Sequence, residues 1–230
     1  MDNLAQAFDI IAISFIPMLL GMILHEIAHG LAALKMGDPT ARLAGRLTLN
    51  PLVHLDAMGS LMFVITAVTS GLTSYPFIFG WAKPVPINPR NFRNFRQGML
   101  ITSVAGAAAN LLLAIVFVLL LRLLLLLSSQ GAIPLLYLDN SFLINTCVVG
   151  VLINCTLACF NLLPIPPLDG SKVLGCLLPP QLARSYFRLE RFGLLIILVL
   201  LATGLLGQFL RPLIWGSGNF LLNLVGLSLY

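Results

Sequence analysis

Long apolar stretches constrain the fold of this chain more than any other feature of its sequence. A helix needs about 20 mostly apolar residues to cross the hydrocarbon core of a bilayer. Five stretches meet this requirement or come close to it: Ile10–Met36, Gly98–Leu127, Phe142–Leu163, Phe192–Leu210 and Leu213–Leu229. Of the 230 residues, 59% are hydrophobic and 9% are charged, against about 45–50% and about 25% in an average soluble domain. The sequence therefore predicts an all-α polytopic membrane protein with about five transmembrane helices.

The positions of the basic residues predict how the chain crosses the membrane. These residues cluster in Lys35–Arg46, Lys83–Arg96 and Lys172–Arg191, and positively charged loops remain cytoplasmic. We expect the plasma (inner) membrane as the location, with residues near Asn3 and Asp139 on the outer side. Basic loops beside membrane spans also explain the net charge of +5 without nucleic acid, so no nucleic-acid partner is expected.

A sixth apolar stretch, Leu55–Phe79, does not fit as a full crossing because both of its ends are basic. The polar residues and the proline within Thr69–Pro76 are expected to interrupt a helix. We therefore predict a re-entrant hairpin, flanked by short membrane-associated β-strands within Ala41–Leu49 and Trp81–Pro89. Irregular backbone at membrane depth is tolerated only inside protein or beside a wet cavity. The hairpin is thus a candidate wall of a functional cleft beside the first span.

A metal-binding motif lies inside the first apolar stretch. His25-Glu26-Ile27-Ala28-His29 fits the pattern H-E-x-x-H. On a helix both histidines lie on one face, so they can bind one zinc ion while Glu26 acts as general base on the bound water. Ionisable groups in a membrane span cost on the order of 2–3 kcal/mol each, so they usually mark function. A buried polar cluster that joins helices is the alternative interpretation.

Two histidines do not complete a catalytic zinc site, which typically has three protein ligands and one position for water. Asp169 follows the Pro-rich segment Asn161–Leu168 at the cytoplasmic end of a span, at the depth expected for the two histidines. Asp38, Asp56 and Glu190 are rival candidates. Asp38, however, opens a Gly-Asp-Pro turn, and Glu190 lies among arginines that would pair with it.

These motifs resemble the site-2 protease family of intramembrane zinc metalloproteases. The resemblance covers residues 10–180 and rests on four segments: His25–Gly30, Gly45–Pro51, Gly80–Pro86 and Asn161–Gly170. It implies that His25, His29 and Asp169 bind Zn²⁺, that Glu26 is the catalytic base and that Asn161 assists at the substrate carbonyl. The substrates it implies are membrane proteins with a transmembrane helix. In the segment 103–110 Ala107 replaces a proline that is usual in the family, whereas the family's asparagine is present as Asn110.

The resemblance also predicts the domain organisation. No segment is long enough for the PDZ or nucleotide-sensing domains of other members, so we expect a minimal member. Residues 1–180 would form the metalloprotease core, and residues 181–230 would form a C-terminal pair of transmembrane helices. The four cysteines are expected to be packing residues.

Two other functions remain possible from the sequence. One is a membrane zincin that uses Glu190 as third ligand and cuts outside the bilayer. The other is a metal-binding membrane protein without hydrolysis, such as a transporter, although a scaffold has no need of the base Glu26. His54 is either a fourth ligand or proton relay, or a residue hydrogen-bonded in the hairpin wall.

Overall fold

The computed structural model describes residues 2–72, 80–129 and 142–227. The architecture of these residues is α-helical. The helices are α1 (Asp2–Met36), α2 (Thr40–Leu43), α3 (Ala57–Leu72), α4 (Phe95–Ser129), α5 (Phe142–Asn161), α6 (Asp169–Leu177), α7 (Pro180–Phe187), α8 (Gly193–Ala202) and α9 (Leu205–Asn223). Short 3₁₀ turns at Pro51–Val53, Pro89–Asn91 and Arg188–Phe192 lie between them.

Three of these helices are long and apolar enough to cross a membrane: Phe8–Met36 in α1, Phe95–Leu127 in α4 and Phe142–Asn161 in α5. The three pack against one another, and α3 packs against α1. The outward faces remain apolar, as on α4, where Leu112 and Leu119 are 64% and 61% exposed. Leucines this exposed on a long helix are explained by lipid as the surrounding solvent. The predicted all-α membrane fold is confirmed.

The main hydrophobic core lies where α4, α5 and α9 meet. Its buried members are Leu113, Ala114, Phe117, Val118, Leu121, Cys147, Val151, Cys155, Leu221, Leu222 and Val225. Gly150 allows α5 to approach α4, since a Cβ there would lie 2.7 Å from the ring of Phe117. Cys147 and Cys155 are free thiols within this core, so these two serve as packing residues, as predicted.

The C-terminal helices differ from the predicted pair of full spans. The chain bends by 81° between the helical segments Pro180–Ala202 and Leu205–Asn223, at Gly204, whose φ is +74°. A glycine adopts this left-handed conformation without steric cost, so the helix ends here. The predicted spans place the break beside Arg211, but Pro212 lies inside α9. Because α8 has only 10 residues, the bent pair is one span at most, and the described residues contain three or four spans.

The predicted re-entrant hairpin begins as the helix α3. Thr69 does not interrupt this helix, because its hydroxyl donates to the carbonyl oxygens of Ile65 and Thr66, both at 3.0 Å. Residues 73–79 lie outside the described residues. The two ends of the segment meet, since Leu55 and Ala82 form an antiparallel β-bridge. The two ends of the segment are therefore adjacent, and the re-entrant path between them stays a prediction.

The short β-strands predicted beside the hairpin do not form in the part of the chain that the structure describes. The segment Ala41–Leu49 begins within α2 and turns at Gly45, whose φ is +66°. The segment Trp81–Pro89 is extended but pairs only through the single bridge. Its prolines lack the N–H that a ladder requires, and the Arg46 guanidinium donates to the Lys83 carbonyl at 2.6 Å. The Arg46 side chain thus makes a hydrogen bond to this backbone that a partner strand would otherwise make.

Asp38, a rival third ligand, instead joins the end of α1 to the loop before α4. Its carboxylate accepts hydrogen bonds from the amides of Thr40 at 3.1 Å and Asn88 at 2.7 Å, and from Asn91 Nδ2 at 2.8 Å. Burial disfavours the charged carboxylate, but these hydrogen bonds outweigh it and hold the pKa of Asp38 below its ordinary value of 3.8. Asp38 is therefore a structural residue.

We expect Asp38→Ala to lower the free energy of unfolding by about 1–3 kcal/mol, because the partly buried donors of Thr40, Asn88 and Asn91 lose their shared acceptor. The stabilisation by the carboxylate is complete above pH 3.8 and is lost as the pH falls through the lowered pKa. Denaturation in detergent micelles measures the change, with the exposed Asp9→Ala as control. Equal stabilities of the two variants would show that the hydrogen bonds of Asp38 contribute nothing.

Candidate metal centre

The helices α1 and α6 bring His25, His29 and Asp169 together. The Nε2 atoms of the two imidazoles are 2.9 Å apart. Asp169 Oδ2 lies 3.3 Å from Nε2 of His25 and 2.9 Å from Nε2 of His29. All three residues are buried, and their ligand atoms lie within 4.8 Å of one another. The two histidines come from one turn of a membrane-spanning helix, and the carboxylate comes from a residue 140 positions later in the chain than His29.

Hydrogen bonds fix the orientation of both imidazoles. His29 Nδ1 lies 2.6 Å from the carbonyl oxygen of Thr102, which can only accept, so Nδ1 donates its proton. His25 Nδ1 lies 2.7 Å from Asn110 Oδ1 and donates in the same way. A neutral imidazole with a proton on Nδ1 has a lone pair on Nε2. Both lone pairs therefore face Asp169.

This donor set fits a zinc ion. Two imidazole nitrogens and one carboxylate oxygen are the ligands of catalytic zinc sites such as His₂Glu. Ligands bonded to zinc at about 2.0–2.1 Å in a tetrahedron are separated by about 3.3–3.4 Å. The His25–Asp169 separation of 3.3 Å matches this value, and the other two separations, both 2.9 Å, are a few tenths of an ångström shorter. Three acceptor atoms this close repel one another unless a cation or a proton lies among them. Metal sites typically contain further residues that hydrogen-bond to the ligands without touching the metal. Asn110, which accepts a hydrogen bond from His25, is such a residue.

Asp169 is held at the first turn of α6 by its neighbours. A Cβ on Gly170 would lie under 3.0 Å from the carbonyl oxygens of Leu162 and Leu163, so only glycine permits this approach. Lys172 Nζ contacts Asp169 Oδ1 at 2.9 Å, which leaves Oδ2 facing the histidines. Burial disfavours the charged carboxylate, but the Lys172 ammonium beside Oδ1 favours it. The ionised form is the one that a metal ligand requires.

The close approach of α4 to the histidines depends on Gly106. A Cβ at this position would lie under 3.0 Å from atoms of both His25 and His29. These atoms are parts of rigid rings whose Nδ1 atoms are already hydrogen-bonded, so they cannot turn aside without breaking those bonds. Gly106 is thus a site residue that the H-E-x-x-H motif does not indicate.

We expect Gly106→Ala to weaken zinc binding at least tenfold and to lower any hydrolytic rate by about 100-fold, since small displacements at a catalytic site have effects of that size. The matched control is Gly216→Ala on α9, where a Cβ would meet nothing within 4 Å. Metal content of the two purified variants measures the difference. Normal zinc content in Gly106→Ala would show that α4 adjusts without disturbing the ligands.

Glu26, the predicted base, is half-buried beside the ligand cluster. Its Oε2 accepts a hydrogen bond of 2.7 Å from the backbone N–H of Val85. Pro84 and Pro86 flank Val85 and carry no N–H. Val85 therefore has the one backbone N–H within Pro84–Pro86. The Pro-rich segment after the hairpin therefore lies against the predicted base.

Three other residues that the sequence suggested for the site are not among the three clustered ligands. The Asn161 amide donates to the carbonyl of Leu157 on its own helix at 2.9 Å, and its assistance at a substrate carbonyl stays a prediction. His54 is buried and donates from Nε2 to the carbonyl of Thr48 at 2.8 Å, which favours its structural interpretation in the hairpin wall. Glu190 is exposed in a 3₁₀ turn and is not a member of the ligand cluster.

Similarity to known proteins agrees with this geometry. The chain is 34% identical over 209 residues to "Putative zinc metalloprotease YwhC" of Bacillus subtilis, across 91% of this chain and 89% of that protein. It is 31% identical over 202 residues to "Putative zinc metalloprotease Rip2" of Mycolicibacterium smegmatis, across 88% of this chain and 71% of that protein. The protein of the same name from Mycobacterium tuberculosis H37Rv is 29% identical, across 86% of this chain and 70% of that protein.

No protein-family model matches the chain, and no solved structure matches it. The similarity to YwhC nevertheless extends over nearly the full length of both proteins and includes the segment that carries His25, Glu26 and His29. The order of the motifs, the membrane-spanning helices and the zinc ligand set agree with it. The chain belongs to the site-2 protease family of zinc metalloproteases.

Proposed function

We propose that this protein is an intramembrane endopeptidase that hydrolyses peptide bonds within or near the transmembrane segments of membrane proteins. The observation that carries the proposal is the location of His25 and His29 on a membrane-spanning helix, with Asp169 completing a buried set of three zinc ligands. A zinc ion in this position supplies a Lewis acid and lowers the pKa of bound water toward about 7.

The residues of the chain have separate roles in this proposal. His25, His29 and Asp169 would hold the metal. The Glu26 carboxylate accepts a proton from the attacking water and returns it to the amine of the leaving product. Asn161 donates from its amide to the substrate carbonyl, after giving up its bond to Leu157. The alternative function, a membrane zincin with Glu190 as its third ligand, is disfavoured because Glu190 is not in the ligand cluster.

A cavity between α1 and α3 supports access for an apolar substrate segment. Its volume is about 260 Å³, and its lining is almost wholly apolar, with Phe15, Met22, Phe63 and Trp81 among the lining residues. Phe15, Met22 and Glu26 share one face of α1, since they are spaced by 7 and 4 residues. We propose that part of the substrate lies in this cavity while its scissile bond reaches Glu26.

A cleavage assay in liposomes tests both proposals. The purified protein is mixed with a panel of single-span substrates, and we expect cleavage that a chelator stops and added zinc restores. Ser60 lines the cavity, so Ser60→Phe should reduce cleavage about tenfold without changing zinc content. Leu61→Phe, at a neighbouring exposed position of α3, is the matched control. No cleavage of any substrate by the wild type would overturn the protease proposal, and equal rates for both variants would overturn the cavity proposal alone.

We also propose that the protein lies in the plasma (inner) membrane with its active site open to the cytoplasm. The basic residues near Arg42, Arg93 and Arg188 support this orientation. Single cysteines placed near these residues should react with a membrane-impermeant reagent only after the membrane is opened, whereas one near Asn3 should react in intact cells. Labelling near Arg93 in intact cells would contradict the orientation.

A further inference from the structure

We infer that Asn154 of α5 is a positioning residue for the zinc centre, which acts on His25 through Asn110 of α4. The three side chains lie on three different helices and form one buried chain of hydrogen bonds. His25 Nδ1 lies 2.7 Å from Asn110 Oδ1, and Asn110 Nδ2 lies 3.1 Å from Asn154 Oδ1. Asn110 and Asn154 are both 0% exposed. This inference concerns metal binding alone and does not depend on the proposed proteolysis.

The direction of this chain is set at its far end. Asn154 Nδ2 donates to the backbone carbonyl of Gly150 at 2.9 Å. A carbonyl can only accept, so the amide of Asn154 must present its oxygen to Asn110. Asn110 then donates from Nδ2 and presents its own oxygen to His25. His25 then donates its Nδ1 proton to this oxygen, and Nε2 carries a lone pair.

A rotated amide at Asn110 would reverse the last step. An N–H of Asn110 would then face His25 Nδ1, which would have to accept, and the imidazole proton would move to Nε2. Nε2 is the atom that faces His29 and Asp169, so a proton there competes directly with the metal. The Gly21 carbonyl also accepts from Asn110 Nδ2 at 3.1 Å, so the loss of Asn154 removes one of two restraints on the amide.

A simpler role for Asn154 is to join helices, since asparagine often hydrogen-bonds between membrane helices. The close packing of α1 agrees with this role as well, because a Cβ on Gly21 would lie 2.8 Å from Asn154 Oδ1. The two roles differ in one respect. Only the positioning role requires that the effect of Asn154 on zinc pass through the amide of Asn110.

The first measurement is the zinc dissociation constant of the purified full-length protein, determined by competition with a chelating dye. We expect Asn154→Leu to weaken zinc binding about 10–100-fold, as is typical when an outer partner of a metal ligand is lost. Thr146→Val is the matched control, because Thr146 is also buried on α5 and its hydroxyl donates to the carbonyl of Phe142 on the same helix. Asn154→Asp in its neutral form retains both hydrogen bonds, so it should keep zinc affinity within about threefold of wild type. If Asn154→Leu does not fold, Asn154→Ala replaces it in every comparison.

The second measurement repeats the substitution in an Asn110→Asp background. The introduced carboxylate would present an oxygen to His25 in either orientation, so Asn154→Leu should then change zinc affinity less than about threefold. Nitrogen NMR of the metal-free protein with ¹⁵N-labelled histidine should show a proton on Nδ1 of His25 in the wild type and a mixture of tautomers in Asn154→Leu. The same loss of affinity in both backgrounds, or an unchanged tautomer in the single variant, would overturn the inference and leave Asn154 as a packing residue.

Discussion

Replacing Glu26 with glutamine is expected to abolish peptide-bond cleavage and to leave zinc bound. The Glu26 side chain is not one of the three ligands, and glutamine has nearly the same shape, so the metal site should persist. Glutamine cannot accept a proton from water, and general acid–base catalysis by a positioned side chain is worth about 10²–10⁴-fold in rate. The loss should therefore be at least about 100-fold in kcat.

The measurement pairs the cleavage rate with the zinc content of the same preparation. Glu190→Gln is the control, because it makes the same chemical change at an exposed position and should leave both values unchanged. If Glu26→Gln retained more than a tenth of the wild-type rate, another group would be the base. If it lost zinc, Glu26 would belong to the ligand set.

Replacing Asp169 with alanine is expected to weaken zinc binding by a factor on the order of 100–1,000, since sites with four protein ligands bind zinc with about 10–16 kcal/mol in total. The variant keeps the two histidines but loses the oxygen that lies 2.9 Å from His29 Nε2 and 3.3 Å from His25 Nε2. Cleavage should be lost together with the metal.

Glu190→Ala is the matched control for this prediction, because Glu190 was one of the rival third ligands suggested by the sequence. Isothermal competition with a chelator measures both dissociation constants, and circular dichroism checks that the helices remain. Wild-type affinity in Asp169→Ala would remove this residue from the ligand set. A large loss in Glu190→Ala instead would support the zincin that cuts outside the bilayer.

The membrane-spanning helices could be predicted from the sequence because length and hydropathy alone determine them. The predicted stretches Ile10–Met36 and Gly98–Leu127 lie within α1 and α4, and Phe142–Leu163 ends two residues after α5. The C-terminal pair could not be predicted, because Gly204 ends a helix through its left-handed conformation inside the predicted span Phe192–Leu210. Glycine is common in membrane-spanning helices, so its presence there gives no signal of the 81° bend.

The short strands were predicted wrongly because the residues of an extended segment carry no information about a partner strand. The described backbone at 83 and 84 is met by the Arg46 side chain rather than by a neighbouring strand. Such a contact joins residues 37 positions apart, and neither periodicity nor propensity identifies it.

The grouping of His25, His29 and Asp169 could be predicted because the spacing of metal ligands follows from chemistry. Two histidines one helical turn apart limit the geometry, and the few acidic residues leave few choices for the third ligand. The outer partners were not predictable from spacing. Asn110 is 85 positions from His25, and Asn154 is a further 44 positions along the chain, so their contact depends on the rotation of three packed helices. Lys172 is the exception, since its i, i+3 spacing from Asp169 is a known pairing distance on helices.

The position of the cut bond tests the central claim most directly. A purified single-span substrate is cleaved by the wild-type protein in liposomes, and mass spectrometry of both fragments locates the new termini. We expect termini within the apolar stretch of the substrate or at its edge, absent with Glu26→Gln and absent after chelation. Termini found only in the water-exposed flanks, or fragments that persist with Glu26→Gln, would contradict an intramembrane protease that uses this site.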